Sequence, residues 1–325
     1  GATALTFNMH CATMLWSSQM ADDLEMTDEQ RTAHEGRRTG IYRKVIEDGA
    51  IFAQPFSEPN SAAAAGKAPF GTTARKVDGG WLVNGAKHFA SLAGAADFYG
   101  VLCTEAKDVG EADVRDTIYL AVDGTSEGFS IHGEWDVLGM RATSSNNLRL
   151  TDVFVPDAHQ LMPRGKYYQA ALTWPHMFMT LCPTYMGIAQ AAFDFTCQYL
   201  RGEVEGGPPA GSARHSPAKQ LAVAEMRIKL EQARALFQCA IAEAGVNPAK
   251  DARLRAYAAQ YTVMEFANDI CRLALRTCGG RAIFRSLRLE QLYRDSRCGA
   301  LMLPWTPEIC MERLGRESLF EAGES

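Results

Sequence analysis

The sequence predicts an α+β protein of several domains: a helical part over residues 1–50, an antiparallel β domain over 51–165, and a helical bundle over 166–325. Two changes of texture carry that reading. Near residue 51, helix-like sequence gives way to short alternating runs broken by Gly, Asn and Asp. Near Lys166 the pattern returns to long stretches at helical spacing.

The first region is fairly apolar from Ala2 to Trp16, and the charged stretch 22–38 reads as a loop and the start of a solvated helix. The chain opens on Gly1 inside what reads as a helix already under way, so further sequence is expected before it. In the middle region, "ARKVDGGWLVNGAKHFAS" carries Asp78-Gly79 and Asn84-Gly85, the strongest short hairpin signals. "TIYLAVDG", "GFSIHGEW" and "NNLRLTDVFVPD" continue the strand-and-turn spacing.

In the last region Ser216-Pro217 is a helix start. Val223, Met226, Leu230, Ala233, Phe237 and Ala240 follow at alternating spacings of three and four. Leu221, Ala224 and Ile228 widen that face, so the helix is expected to be broadly buried. A second helix aligns Tyr257, Tyr261, Met264, Cys271, Leu275 and Cys278, and stops at Gly279-Gly280. Near the end, Thr306 suits a helix cap, Pro307 the first turn and Glu308 the positive end of the dipole.

Bulk properties exclude several classes. A net charge of −5 over 325 residues argues against nucleic acid or an anionic membrane as the main partner. The apolar opening is shorter than the ~20 residues a span needs, so no membrane insertion is expected. Nine scattered cysteines point to a reduced compartment, hence a cytoplasmic protein. Seven isolated histidines give no metal site. There is no P-loop, no C-x-x-C and no H-E-x-x-H. "GTSEG" at 124–128 fits G-x-S-x-G but lies between two strand-like runs, whereas a nucleophile elbow needs strand, turn and helix.

Chemistry enters through a resemblance. The stretches "FAQPFSEPNS" (52–61), "WLVNGAKHFASLAGAADFYGVLC" (81–103), "GMRATSSNNLRLTDVFVP" (139–156) and "RTCGGRAIFRSLRLEQLYRDSR" (276–297), with the opening stretch, keep an order and spacing that resemble the acyl-CoA dehydrogenase family. The resemblance implies an N-terminal helical domain, a middle β domain and a C-terminal four-helix bundle, assembled as dimers or tetramers around FAD. It implies that the flavin ring is cupped by residues 54–59, with Gln54, Phe56 and Ser57, and by residues 89–92, with Phe89 and Ser91. Ser57 and Ser91 stand where the family has threonines, and Phe89 where it often has Trp. Gly279 and Gly280 match a pair whose backbone approaches the FAD pyrophosphate of a neighbouring subunit, and Arg276 could pair with a phosphate there. Thr306 is implied as a further FAD contact, and Arg294-Asp295 as an ion pair within the bundle.

The resemblance also exposes a gap. The family's "IYEGTSEIQ", whose glutamate removes the α-proton of an acyl thioester, is matched by "MLPWTPEIC", which puts Pro304 at the base position and Trp305 after it. A minority of the family carries its base at the start of the first bundle helix, where this chain has Met177-Phe178. His176 lies adjacent and is a weak candidate base, since a lone His among aromatics is more often a structural residue. "NSAAA" at 60–64 replaces "GAGSD", and the loop at 206–212 replaces "RKQFGKPI". Three functions follow. The first is an FAD-dependent oxidoreductase acting on acyl-CoA or another small apolar substrate, with its base from elsewhere. The second is a flavin-dependent monooxygenase of the same fold, in which an apolar Leu303-Pro304-Trp305 lid shields the flavin. The third is a catalytically silent subunit. A homodimer or homotetramer is expected, with a hetero-oligomer for the third.

Overall fold

A computed structural model describes residues 1–58, 63, 67–107, 111–209, 211, 213–302, 305–321 and 324. The N-terminal part is α1 (Ala2–Ser17), α2 (Gln19–Asp22) and α3 (Asp28–Glu47). Thr27 closes a capping box at the start of α3: its hydroxyl accepts from Gln30 N at 3.2 Å, and the Gln30 amide oxygen accepts from Thr27 N at 3.2 Å. This helix buries only His34 and Ile41, which makes it the solvated helix expected from its charge.

Among the described residues eight strands form one sheet: β1 (Phe52–Ala53), β2 (Thr73–Val77), β3 (Gly80–Ala90), β4 (Phe98–Glu105), β5 (Thr117–Asp123), β6 (Phe129–His132), β7 (Asn146–Pro156) and β8 (Gln160–Met162). The order is β6-β7-β3-β2-β4-β5-β8, with β1 also on β4. The pairings are antiparallel except β1 and β2 against β4, which run parallel. Asp78-Gly79 makes the two-residue hairpin between β2 and β3. Asn84-Gly85 does not form a turn. It lies inside β3 at a register shift against β7, because the chain there must pass Thr72: a Cβ on Gly85 would meet Thr72 Cα at 2.6 Å.

The C-terminal part contains α4 (Lys166–Thr173), α5 (Cys182–Arg201), α6 (Pro217–Ala242), α7 (Lys250–Cys278), α8 (Arg288–Gly299) and α9 (Pro307–Leu319). Helices α5 to α8 pack as a four-helix bundle with α7 central, and α9 lies against α7. The breadth expected for the buried face of α6 is corrected. Met226, Leu230, Ala233 and Ala240 are buried, whereas Leu221 and Ile228 are 73% and 58% exposed and Ala224 is exposed too. Among the described residues α7, α5 and the turn at 213–215 pack on α6, and the extra apolar stripe stays exposed.

Two cores result. Val83, Val101, Ile118, Leu120, Leu148 and Val155 fill the interior of the β domain. Phe52, Phe98, Leu102, Tyr119 and Ala121 alternate onto the opposite face and join the helical core with Trp16, Tyr167, Tyr185 and Met264. The β domain is also tied to α8. Asp295 Oδ1 accepts from Met140 N at 2.6 Å, and Arg294 Nη1 donates to Leu138 O at 3.0 Å. The ion pair expected within Arg294-Asp295 is therefore replaced. Arg294 pairs with Glu290 one turn back at 2.8 Å, which leaves Asp295 to hold the β-domain loop. No helix among the described residues is long and apolar enough to cross a membrane.

Candidate functional site

Two of the segments singled out in the sequence lie side by side. Ser57 and His88 form a β-bridge, with His88 N donating to Ser57 O at 2.8 Å. Directly behind it, Lys87 Nζ donates to Glu58 Oε1 at 2.6 Å and to Leu102 O at 2.5 Å, and faces the Phe70 ring at 4.5 Å. Glu58 also accepts from Gly71 N at 2.6 Å and Thr72 N at 3.1 Å. Burial alone would raise the Glu58 carboxyl, but Lys87 and these donors hold it below its ordinary value. Burial in turn pulls the Lys87 ammonium below its own. The ion pair gives residues 54–58 and 87–92 a common rigid base.

Backbone strain concentrates in the same corner. Six non-glycine residues have positive φ among the described residues, and four of them are Phe89, Leu92, Met140 and Ser144. The two turns bond to each other, Leu92 N to Thr143 O at 2.9 Å and Ala93 N to Ser144 O at 3.1 Å. Phe89 is thereby held 62% exposed, its ring edge-on to Trp135 at 6.0 Å. Trp135 Nε1 donates to Met140 O at 3.1 Å, so that neighbouring ring is also fixed. Behind the turn, Ser91, Ser145 and Thr143 place their hydroxyls in a row at 2.8 and 2.7 Å.

These features suit a planar cofactor with a polar edge. An aromatic side chain is kept in solvent by strained backbone, with serine hydroxyls in both adjoining segments. Ser57, Phe89 and Ser91 are brought together. Gln54 and Phe56 belong to the same segment, but their side chains turn inward. Gln54 Nε2 reaches the Tyr119 hydroxyl at 3.5 Å, and Phe56 packs edge-on against Trp16 and Tyr167.

Arg276, Gly279 and Gly280 sit apart from this corner in sequence, at the C-terminal end of α7, and all three are exposed. Gly279 has φ of 81°, and a Cβ on either glycine would meet nothing within 4 Å. That backbone is open to an incoming anion. Ile283 and Phe284, just beyond, are 68% and 61% exposed.

The proposed base positions fall in two states. Leu303 and Pro304, like residues 59–62, 64–66, 210 and 212, lie outside the described residues. Trp305 is 1% exposed, wedged between Tyr257 at 4.7 Å and Phe178 at 5.4 Å, and its indole nitrogen has no partner among the described residues. Thr306 is the N-cap residue of α9, but its hydroxyl makes no capping bond to the helix backbone. The Glu308 carboxyl is instead held below its ordinary value by its own N–H and by that hydroxyl. His176 is 5% exposed with both ring nitrogens unpartnered among the described residues. Burial lowers its imidazole, and Glu243 offsets this only in part, so it is neutral at neutral pH. A cleft of about 640 Å³ opens between α7 and α9 beside Tyr257 and Arg313, but Lys67, Arg316, Glu312 and Glu321 give it mixed charge. Among the described residues no cluster of His, Cys, Asp or Glu is arranged to hold a metal.

Sequence reasoning missed Lys87, Thr143 and Ser145. The hydroxyl pair was legible as "ATSSNN" inside a matched stretch, whereas nothing local marks Lys87 as buried.

Comparison with known proteins completes the picture. Residues 53–153 match the acyl-CoA dehydrogenase middle domain, and residues 169–317 match the acyl-CoA dehydrogenase C-terminal domain. The YdbM protein of Bacillus subtilis (strain 168), assigned to the acyl-CoA dehydrogenases, is 30% identical over 283 residues, covering 85% of this chain and 70% of that protein. Of another acyl-CoA dehydrogenase of the same organism the chain spans 61%. The fold is similar to that of butyryl-CoA dehydrogenase from Megasphaera elsdenii, with a TM-score of 0.73 at 21% identity over 98% of this chain and 78% of that one. It is also similar to that of FMN-bound TdsC from Paenibacillus sp. A11-2, with a TM-score of 0.77 at 19% identity over 98% of this chain and 80% of that one. With both domains matched in order and a relative at 30% identity over most of its length, the chain belongs to the acyl-CoA dehydrogenase family of flavoprotein oxidoreductases.

Proposed function

We propose that the protein binds FAD at the corner made by residues 54–58 and 89–92 and acts as an oxidoreductase on an acyl thioester or a similar small apolar substrate. The observation that carries this is the joining of the two segments by the Ser57–His88 bridge and the buried Lys87–Glu58 pair. Bound FAD would supply hydride acceptance. The chain would supply Ser57 and Ser91 to the polar edge of the ring, the Phe89 face to its apolar surface, and Thr306 as a further contact to the cofactor. Residues 51–165 would then form the flavin-bearing domain and 166–325 the bundle that closes over it.

The same reading makes the site shared. Arg276, Gly279 and Gly280 are exposed at one end of α7 and suit the pyrophosphate of a cofactor held by a second subunit. The uncovered Ile283, Phe284, Leu221 and Ile228 support a second subunit packing on this side of the bundle, as a homodimer or homotetramer.

A monooxygenase of the same fold is the second reading. It is favoured by the sequence at the base position, Pro304, and by the buried aromatic wedge of Trp305, Tyr257 and Phe178. Such a reaction needs no carboxylate to remove an α-proton. An absorbance scan of the purified protein tests for flavin. Flavin bleaching by acyl-CoA against NADH-dependent oxygen uptake then separates the two chemistries. Neither response from a flavin-loaded protein would leave the silent-subunit reading.

A further inference from the structure

The hydroxyl row behind the Phe89–Leu92 turn has a direction. Thr143 Oγ1 lies 2.8 Å from Met140 O, Ser145 Oγ lies 2.7 Å from Thr143 Oγ1, and Ser91 Oγ lies 2.8 Å from Ser145 Oγ. A carbonyl oxygen only accepts, so the single proton of Thr143 goes to Met140 O. Thr143 can then meet Ser145 only as an acceptor, so Ser145 donates to it. With its proton spent, Ser145 accepts from Ser91. The opposite order would leave two oxygens facing each other at hydrogen-bond distance with no proton between them. Thr143 and Ser145 are 1% and 4% exposed, so bulk solvent cannot readily supply an alternative.

The last member of the row is the one that matters. Ser91, 8% exposed, has spent its proton inward, so to any group that reaches it from the turn it offers only lone pairs. We infer that Thr143 and Ser145 are positioning residues that make Ser91 a hydrogen-bond acceptor, not a donor, toward the flavin, and so favour the reduced cofactor. This rests on the reading of residues 89–92 as a flavin-contacting turn. The chemical reason is general. Edge nitrogens of an oxidised flavin that only accept hydrogen bonds become N–H donors on reduction, so an acceptor beside them distinguishes the two states. A donor at the same place would favour the oxidised form.

The test is a spectroscopic redox titration of the flavin-loaded protein. Ser145→Ala removes the group that takes the Ser91 proton, so Ser91 can turn and donate outward. The reduction equilibrium should fall about tenfold, on the scale of one hydrogen bond, which is ~30 mV for a two-electron couple. Ser145→Thr keeps the hydroxyl and should keep the wild-type potential. Thr143→Val breaks the row one link further back and should lower the potential in the same sense, which covers the case that Ser145→Ala fails to fold. Ser91→Ala should lower it too, and adding Ser145→Ala to that variant should change nothing more. Flavin bound at an unchanged or raised potential in Ser145→Ala or Thr143→Val overturns this inference alone. A wild-type protein that takes up no flavin overturns the reading beneath it as well.

Discussion

Lys87 and Glu58 meet at 2.6 Å with side chains 0% and 2% exposed, and together they clamp the two segments of the candidate flavin corner. Removing one partner leaves the other charge buried and uncompensated, which typically costs ~3–5 kcal/mol. Lys87→Met should therefore lower stability by about that much in denaturant unfolding. The loss should exceed that of Lys76→Met, whose pair with Asp157 is half exposed. Equal losses for the two variants would contradict a clamping role.

The same pair sets an acid limit. The folded-state value of Glu58 lies below its unfolded value of about 4.3. Its contribution is thus complete above about pH 5 and lost as pH falls through the folded-state value. Stability measured from pH 7 down to pH 3 should fall in wild type. In Glu58→Gln that component of the slope should be missing, on a lower baseline.

Gly139 predicts how the β domain is attached to the bundle. A Cβ there would lie 2.3 Å from Arg294 O and 2.8 Å from Asp295 N, both backbone atoms that cannot move aside. Gly139→Ala should cost at least ~1–3 kcal/mol, the usual range for overpacking. It should also lengthen the bond from Met140 N to Asp295. Asp295→Asn keeps the acceptor oxygen and should cost less. Thermal midpoints of the two variants, compared with wild type, check this order.

How much of this could be seen beforehand depended on whether the cause was local. Asp78-Gly79 turned the chain as its dipeptide predicts, because β2 and β3 flank it and nothing else competes. Asn84-Gly85 carries the same signal yet lies within a strand, since β7 and Thr72 already fill both of its sides. The α7 stripe was legible because helices surround it, and the α6 stripe was over-read because periodicity reports an apolar face, not what covers it. At the candidate site, Ser57, Phe89 and Ser91 are singled out by their motifs. Lys87 was not, since its partner is 29 residues away and a lysine in a strand ordinarily points to water. Asp295 was assigned to the wrong neighbour for a similar reason: its acceptor role is satisfied 155 residues away.

Pro304 stands where the family's matching stretch has its glutamate, and Met177-Phe178 occupy the other base position, so neither place offers a carboxylate. General base catalysis typically contributes ~10²–10⁴-fold. Flavin bleaching by butyryl- or octanoyl-CoA should therefore be slow or undetectable in stopped flow. Restoring the motif needs care. Trp305→Gly would empty a site walled by Tyr257 and Phe178, and removing a buried Trp costs ~3–5 kcal/mol. The informative variant is therefore Pro304→Glu with Trp305 kept. It should raise the rate of acyl-CoA bleaching if the thioester reaches the flavin, and leave it unchanged if the aromatic wedge blocks that approach. Rapid bleaching by the wild-type protein would contradict the prediction and point to another base. His176, neutral and with both ring nitrogens unpartnered among the described residues, would then be the first residue to replace. Loss of the rate in His176→Gln, with flavin still bound, would identify it.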